Sequence, residues 1–343
     1  MRVKDFDYAL PMELIAREPR EFNGEKRSDS RMIIMDRENQ QIYHKKFVQI
    51  IDYIEPGDVL VLNNSKTIKA NMIGFYNRNK KIEFNLCGRK ASNVWTCYIQ
   101  FDFMIAIGGK IIIKDGDGII NGVVVEKQDN KIWSIEFDHQ DMIEAANRIG
   151  RHIVSHYFKK RCDIKYLQNV YSSVDGSSEL PAAGRHFDWE LLELIQSKGG
   201  IITYVTLHTG LSSINVDTEN FEDFNMHEEY IELSAETAEI LNKAKASGNK
   251  IIGTGTTVMR TLESCVDDNE NIFPYKGYTN LFIYEGFQFK VVDKFITNFH
   301  APQSTRIALA AAFSGNDLLK HCYTQAIENK YQFFEFGDAT LTI

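Results

Sequence analysis

The sequence predicts an α/β protein, with a large, barrel-like α/β domain interrupted by a small inserted β-barrel domain. Three observations support this fold class. In the second half of the chain, strand patterns alternate with helix patterns, as in βα units around a largely parallel sheet. Between residues 66 and 137, short β-rich runs separated by turn residues replace that alternation. The length of 343 residues suits two domains, or one domain that carries an insertion.

The elements of the first half are short. Residues 31–36 alternate like a strand, and the apolar run 59–62 follows a turn that contains Pro56 and Gly57. Five further strand-like runs form the barrel segment, at 81–86, 94–100, 110–114, 122–126 and 131–137. We therefore assign residues 1–65 and 140–343 to the α/β catalytic domain and residues 66–139 to the inserted barrel.

The second half contains longer elements. Asp188 and Ser234 are suitable N-cap residues for the first two helices. Helices are predicted at 188–198, 235–246, 258–266, 304–313 and 316–330. Strands are predicted at 201–207, 250–253, 281–284 and 289–292.

The composition excludes several classes of protein. With 43% hydrophobic and 25% charged residues the chain is an ordinary globular protein, and no apolar run is long enough to span a membrane. Its start lacks the apolar stretch of a signal peptide, and its five cysteines are scattered without metal-ligand spacing. We expect a cytoplasmic protein with no disulfides and no metal. The net charge of −8 counts against a nucleic-acid partner, although charge can be segregated on the surface.

Two loops carry the first candidate site residues. The loop before the predicted helix at 188 holds Gly184, Arg185 and His186, where the glycine permits a tight backbone. The other two side chains would lie near a helix N-terminus, where anions are stabilised. His208, followed by Thr209, ends an apolar strand, a position suited to an acid, a base or a substrate contact. Either histidine could equally be a packed core residue.

Two more loops contain histidine. His227 and Glu229 are two residues apart, so in an extended segment they share one face, and the carboxylate could orient the imidazole. No third ligand recurs at metal spacing, so a metal site is not predicted. Asn298 and His300 follow another strand-like run and could contribute to the same pocket.

The segment around Gly255 is the most informative one. A strand opens through small residues onto a helix start, which offers backbone N–H groups and the hydroxyls of Thr256 and Thr257 to a carboxylate or phosphate. The segment is neither a P-loop nor a dinucleotide-binding fingerprint. Arg260 could take part, or it could simply pair with Glu263 three residues further on.

Taken in order, the segments of this chain resemble the S-adenosylmethionine:tRNA ribosyltransferase-isomerase family of queuosine biosynthesis. The similarity runs nearly from end to end and includes residues 1–8, 27–31, 56–63, 183–187, 206–208, 226–229, 255–263, 289–293, 297–300 and 336–338. It implies an α/β domain interrupted by a β-barrel, in agreement with the pattern described above.

The resemblance also implies an activity. S-adenosylmethionine would serve as a ribosyl donor and not as a methyl donor, and it would be the only co-substrate, without a metal. The acceptor would be the aminomethyl group of 7-aminomethyl-7-deazaguanine in tRNA, giving epoxyqueuosine-tRNA, adenine and methionine. S-adenosylmethionine and tRNA are thus the implied partners, and we expect a monomer that does not associate with membranes.

Site residues follow from matching positions. His208 or His227 would be the general base, with Glu229 orienting His227. The implied substrate contacts are Gly184, Arg185, His186, Thr209, Gly255, Thr256, Thr257, Arg260, Asn298 and His300. Arg185 stands where the family usually has leucine, a change that adds a fixed cation. Such departures, together with the acidic net charge, leave open a paralogue with a non-tRNA or small-molecule acceptor. A binding or regulatory protein that has lost catalysis is a third alternative.

Overall fold

The computed structural model describes residues 2–155, 157–159, 161–210 and 216–343. Strands in this part of the chain are β1 (Arg31–Asp36), β2 (Gln41–Lys46), β3 (Val59–Asn63), β4 (Ser65–Thr67), β5 (Asn71–Tyr76), β6 (Lys80–Arg89), β7 (Val94–Tyr98), β8 (Lys110–Asp115), β9 (Gly118–Asp129), β10 (Ile132–Phe137), β11 (Val174–Ser177), β12 (Ile201–Leu207), β13 (Glu229–Leu233), β14 (Ile251–Thr254), β15 (Tyr275–Thr279), β16 (Lys294–Asn298) and β17 (Ala339–Thr342). The α-helices are α1 (Met142–Ile149), α2 (Trp189–Ser197), α3 (Ala235–Ala246), α4 (Thr256–Ser264), α5 (Thr305–Ser314) and α6 (Asn316–Glu328).

Nine of these strands form one mixed sheet in the order β15-β13-β12-β3-β14-β16-β17-β1-β2. The four central strands β12, β3, β14 and β16 are parallel. Toward the edges, β13, β15, β17 and β2 each pair antiparallel with a neighbour, whereas β17 and β1 are parallel. The sheet is open, with β15 and β2 as its edge strands.

Helices cover both faces of this sheet, which explains the continuous apolar sequence of its central strands. Every residue of β3 is buried. Alternate residues serve opposite faces, because Val59 and Val61 pack with helices α3 to α6, while Leu60 and Leu62 pack with α2 and the turn that begins at Phe47. The central strands are therefore held rigidly between two apolar layers.

The inserted segment is a closed barrel in the order β10-β7-β6-β5-β8-β9. Buried and partly buried residues alternate along its strands, as in β5 and β7, because a barrel strand presents one face to the interior and the other to the outside. Its interior is a separate apolar cluster that includes Phe84, Trp95 and Phe137. The barrel enters the chain directly after β3 and β4, so it lies beside the carboxyl end of the central sheet.

The predicted fold class is confirmed, but some elements differ from the prediction. The runs 281–284 and 289–292 are not strands, and the sheet is extended instead by β15 and by β17. The sheet is open, so the larger unit does not have the barrel-like closure that the alternating pattern suggested. Like β2 and β13, which were not predicted either, β15 and β17 each pair antiparallel with a sheet strand. Within the described residues, no helix is both long and apolar enough to cross a bilayer.

Candidate active site

The candidate site lies at the carboxyl ends of the central parallel strands. There β12 leads to His208, β14 leads to Gly255 and β16 ends at Asn298. Substrate sites of open α/β sheets are usually built at this edge. Because these strands are parallel, the three loops that follow them lie on the same side of the sheet.

His208 is held by two serines that the sequence analysis did not single out. Its Nδ1 lies 2.7 Å from Oγ of Ser65, and that oxygen lies 2.6 Å from Oγ of Ser177. Asn63 fixes the adjacent strand end, since its amide group bonds both the N–H and the carbonyl of Leu207. Burial lowers the pKa of His208 to about 4, so its imidazole is neutral at pH 7. No described residue hydrogen-bonds to its Nε2.

Glu229 and Arg260 form a buried ion pair. Both are almost inaccessible, at 4% exposure each. One Glu229 oxygen accepts from the Arg260 guanidinium, and the other accepts from the backbone N–H of Gly210 at 2.9 Å. Arg260 also donates to the carbonyl of Leu281 at 2.8 Å. The pair therefore ties helix α4 to the loop that carries His208.

These contacts correct one prediction from the sequence and exclude one of the alternatives that it left open. Glu229 does not orient His227: its two oxygens accept from Arg260 and from the N–H of Gly210, and no described hydrogen bond joins it to the imidazole. His227 lies before β13 and contacts Phe224 edge-on. Arg260 does not pair with Glu263, whose carboxylate instead accepts from the backbone N–H groups of residues 290–292. The partners of Arg260 and Glu263 were not predictable, because each lies about 30 residues away from them along the chain.

Helix α4 starts at a backbone position that requires glycine. Gly255 has a φ of 89°, in the region that other residues rarely adopt. No described side chain caps this helix, so the first-turn N–H groups beyond Gly255 are available. Thr256, Thr257 and Arg260 line a cavity of about 20 Å³ together with Arg306. That volume holds roughly one water molecule, so a larger ligand there requires movement of lining side chains.

A chain of contacts connects this cavity with His208. Arg306, from the first turn of α5, lies 3.4 Å from the carboxylate of Glu179. Thr209 donates its hydroxyl to the Glu179 carbonyl at 2.6 Å. The barrel packs against this loop at Gly210. A Cβ added at this residue would lie only 1.7 Å from the carbonyl oxygen of Cys87 in β6, so a side chain does not fit there. Arg306 and Glu179 were missed, since an isolated Arg or Glu gives no signal in a sequence.

The other predicted histidines are buried in the framework. Nε2 of His300 lies 2.9 Å from Oγ1 of Thr297. His186 lies 2.9 Å through Nδ1 from Oγ of Ser30, while its Nε2 and Oδ1 of Asn298 are both buried without a hydrogen-bond partner. Burial lowers the pKa of each imidazole to about 3. They are thus neutral supports of the strand ends.

Arg185 is not the exposed substrate contact that the sequence suggested. It is 3% exposed, pairs with Glu21 and donates to the carbonyl of Tyr166 at 3.0 Å. Its guanidinium also lies 4.8 Å from the ring centre of Phe336. Burial lowers its pKa to about 10, which leaves it charged at pH 7. Gly184 beside it packs so closely that an added Cβ would collide with the hydroxyl of Tyr171.

Replacing Arg185 with Leu tests this structural role. We expect a loss of about 1.5–3 kcal/mol in the free energy of unfolding, because Glu21 and a backbone carbonyl lose a charged donor. The affinity for substrate should not change. Urea denaturation measures the first quantity and calorimetric titration the second. Arg2→Leu, which removes an exposed ion pair with Asp5, is the control. If Arg185→Leu binds substrate more weakly and Arg2→Leu does not, Arg185 contacts the substrate after all.

The buried His186 and His300, together with the partly buried His208, predict a pH-dependent stability. Their pKa values are lowered on folding, so the unfolded chain binds protons that the folded chain does not. The free energy of unfolding should therefore fall as the pH decreases from about 6.5 toward 4. His300→Gln should reduce this slope by at most about 1.4 kcal/mol per pH unit. Urea titrations at several pH values measure it, and an unchanged slope would contradict the assignment.

A larger groove, of about 920 Å³, lies elsewhere. Its lining mixes charges of both signs, such as Arg20, Arg31, Lys159 and Asp338, and contains none of the predicted site residues. Among the described residues, no three His, Cys, Asp or Glu side chains gather as a metal site would require. All five cysteines are buried and unpaired. The polar cluster at the strand ends is therefore the better candidate.

A polar cluster at this edge of an open, mixed sheet is typical of α/β enzymes that bind a small substrate. A family model described as queuosine biosynthesis protein matches residues 3–342, and the chain belongs to this family. The resemblance noted in the sequence is thereby confirmed.

Similar proteins cover the whole chain. An S-adenosylmethionine:tRNA ribosyltransferase-isomerase of Clostridium kluyveri is 38% identical over 343 residues, and one of Acetivibrio thermocellus is 40% identical over 342 residues. In each comparison 99% of both chains is covered. The crystal structure of the S-adenosylmethionine tRNA ribosyltransferase of Thermotoga maritima is 34% identical, with a TM-score of 0.58, over 99% of this chain and 100% of that one.

Proposed function

We propose that this chain transfers and isomerises the ribosyl group of S-adenosylmethionine onto the aminomethyl group of 7-aminomethyl-7-deazaguanine in tRNA. The products are epoxyqueuosine-tRNA, adenine and methionine. The observation that carries the proposal is the set of contacts that ties the loop of His208, through the N–H of Gly210, to Glu229 and to Arg260 of α4, in a chain whose relatives are named for this reaction. Those names specify tRNA, so a non-tRNA acceptor is not favoured.

His208 supplies the general base in this proposal. The sulfonium of S-adenosylmethionine acidifies the neighbouring C5′ protons, and removal of one starts ring opening and adenine loss. A base for this step must be neutral and partly shielded from water. His208 is neutral because of burial, and a hydrogen on Nδ1 donated to Ser65 leaves Nε2 as the proton acceptor. His227 remains the second candidate.

The start of helix α4 would bind the methionine carboxylate. Its uncapped N–H groups and the hydroxyls of Thr256 and Thr257 suit an anion, and Arg306 lies on the same cavity. Arg260 would act indirectly, since its charge is already balanced by Glu229. Thr209 would position the loop between the base and this anion site.

The assignment of the chain to two domains is also a proposal. Residues 1–65 and 140–343 would form the catalytic domain, and residues 66–139 the barrel domain. The confinement of the barrel strands to β5 through β10 supports this division. We further propose a cytoplasmic monomer without a metal.

The decisive experiment is a product assay. Purified protein is incubated with S-adenosylmethionine and tRNA that carries the aminomethyl-deazaguanine, and adenine and methionine are measured by chromatography. Formation of both, together with a mass increase of the tRNA, is expected. The control is the same tRNA with guanine at that position, which should give no adenine. Adenine formation that does not depend on the deazaguanine would contradict the proposed acceptor.

A further inference from the structure

A row of aromatic rings runs from the candidate base to the edge of the sheet. Tyr230 of β13 stacks on His208, with ring centres 5.2 Å apart and planes inclined by 16°. On the other side, Tyr230 is paired in register with Tyr278 of β15, and their rings meet edge-to-face at 5.9 Å. Because directly paired residues share one face of a sheet, the three rings form a single cross-strand row.

The outer end of this row is open to solvent. β15 is an edge strand, and Tyr278 is 40% exposed there. Its hydroxyl donates to the backbone carbonyl of Arg89, at the end of barrel strand β6. The ring face is thus fixed in direction by the barrel while the ring itself stays accessible. Fixed, exposed aromatic rings are what proteins use to stack unpaired nucleobases.

The charges beside this row are mixed, since both the Arg89 guanidinium and the exposed Glu228 carboxylate lie near enough to act on Tyr278. Lys276 pairs with Glu232, and Lys90 pairs with Glu126. The guanidinium of Arg89 donates only to the carbonyls of residues 91 and 92 and has no described carboxylate partner. A cation of this kind next to a stacking surface fits a phosphate.

The distance along the row matches the spacing of nucleotides. His208 and Tyr278 are separated by two inter-strand steps, which is roughly 10 Å at the usual strand spacing. Stacked nucleotides rise about 3.4 Å each along a strand. An acceptor base placed at His208 therefore brings a base two or three nucleotides away to Tyr278. This reasoning rests on the proposed function, because it requires that the acceptor belong to an RNA loop.

We propose that Tyr278, supported by Tyr230, stacks a nucleobase two or three nucleotides from the acceptor in a single-stranded RNA loop, and that Arg89 contacts the adjoining phosphate. Tyr278 is thereby a specificity residue for RNA and not a catalytic residue. It acts at the junction of sheet and barrel, which gives the inserted barrel a direct part in holding the RNA.

The test uses the full-length protein and an anticodon stem-loop RNA that carries the aminomethyl-deazaguanine. Tyr278→Ala and Tyr278→Leu should raise KM for this RNA about 5- to 150-fold, the effect of losing one stacked base. Tyr278→Phe, which keeps the ring but loses its hydrogen bond to the Arg89 carbonyl, should raise KM much less than either of these variants. The affinity for S-adenosylmethionine, measured by calorimetry without RNA, should be unchanged in all three variants. For Arg89→Ala, the slope of the logarithm of the RNA-binding constant against the logarithm of the salt concentration should become shallower by about one, the effect of losing one phosphate contact.

The matched control is Phe103→Ala. Phe103 is 78% exposed on the barrel connection between β7 and β8, and it lies beside Lys80 at the opposite end of β6 from Arg89. It should leave KM unchanged. An equal rise in KM for Phe103→Ala and Tyr278→Ala, or none for Tyr278→Ala and Tyr278→Leu, would overturn the proposal. A change in oligomeric state for Tyr278→Ala would also overturn it, since the face would then bind protein.

A second measurement does not depend on turnover. With 2-aminopurine in the loop two or three nucleotides from the acceptor, binding to the wild type should change the fluorescence through stacking. The change should persist with Tyr278→Phe and disappear with Tyr278→Leu. If the wild type binds this RNA with the fluorescence change but forms no adenine, the proposed reaction fails while the stacking surface stands.

Discussion

Replacing His208 with Ala is expected to slow adenine release about 10²- to 10⁴-fold, the usual contribution of a positioned general base. The physical reason is that His208 is kept neutral by burial and is oriented through Ser65. Binding of S-adenosylmethionine should be nearly unchanged, because the anion contacts lie on α4. Single-turnover chromatography measures the rate, and calorimetry measures the binding.

Added imidazole separates a chemical role from a structural one. It should partly restore adenine release in His208→Ala, because a free base can occupy the space left by the side chain. His44→Ala is the control, since His44 lies on β2 at the far edge of the sheet. Loss of adenine release in His227→Ala, combined with normal release in His208→Ala, would transfer the role of base to His227.

Replacing Glu229 with Gln is expected to lower the free energy of unfolding by about 3–5 kcal/mol, because it leaves the buried charge of Arg260 without its counter-ion. The same change should reduce turnover, since the backbone N–H of Gly210 loses a charged acceptor and the loop that carries His208 is less well held. Urea denaturation and the adenine assay measure the two effects.

The control for this change lies on the same strand. Glu232 pairs with Lys276 at 3.2 Å, but the Lys276 side chain is 70% exposed and that of Glu232 39%, so Glu232→Gln should cost about 1 kcal/mol or less. A double variant, Glu229→Leu with Arg260→Met, should regain stability without regaining turnover, since apolar residues can replace a buried ion pair in packing. Equal stability losses for Glu229→Gln and Glu232→Gln would show that burial does not strengthen the first pair.

Periodic patterns predicted most of the central elements. The strand at β12 and the helix at α3 have the predicted boundaries, because their apolar periods, caps and glycine stops are local features. The edge strand β15 was missed, since its residues are mostly exposed and include a glycine. An edge strand is recognised by its partner, and that partner is not visible in a local pattern.

The roles of the site residues were harder to predict than their location. Arg185 looked like a substrate contact, yet Glu21, 164 residues away, pairs with it in the framework. The neutral state of His208 depends on burial, and its orientation depends on Ser65, 143 residues away. Sequence patterns carry no information about such partners when they come from distant segments.

By itself the sequence determined the α/β fold with its inserted barrel, the family, and the set of polar residues that follow the central strands. These features depend on local periodicity and on the order of short segments. Only the tertiary structure decided which of the polar residues pair with one another and which remain available, as in Glu229 with Arg260 and His208 with Ser65. The reason is that charge state and hydrogen-bond partners are set by burial and by contacts between strands that the fold, and not the chain order, makes adjacent.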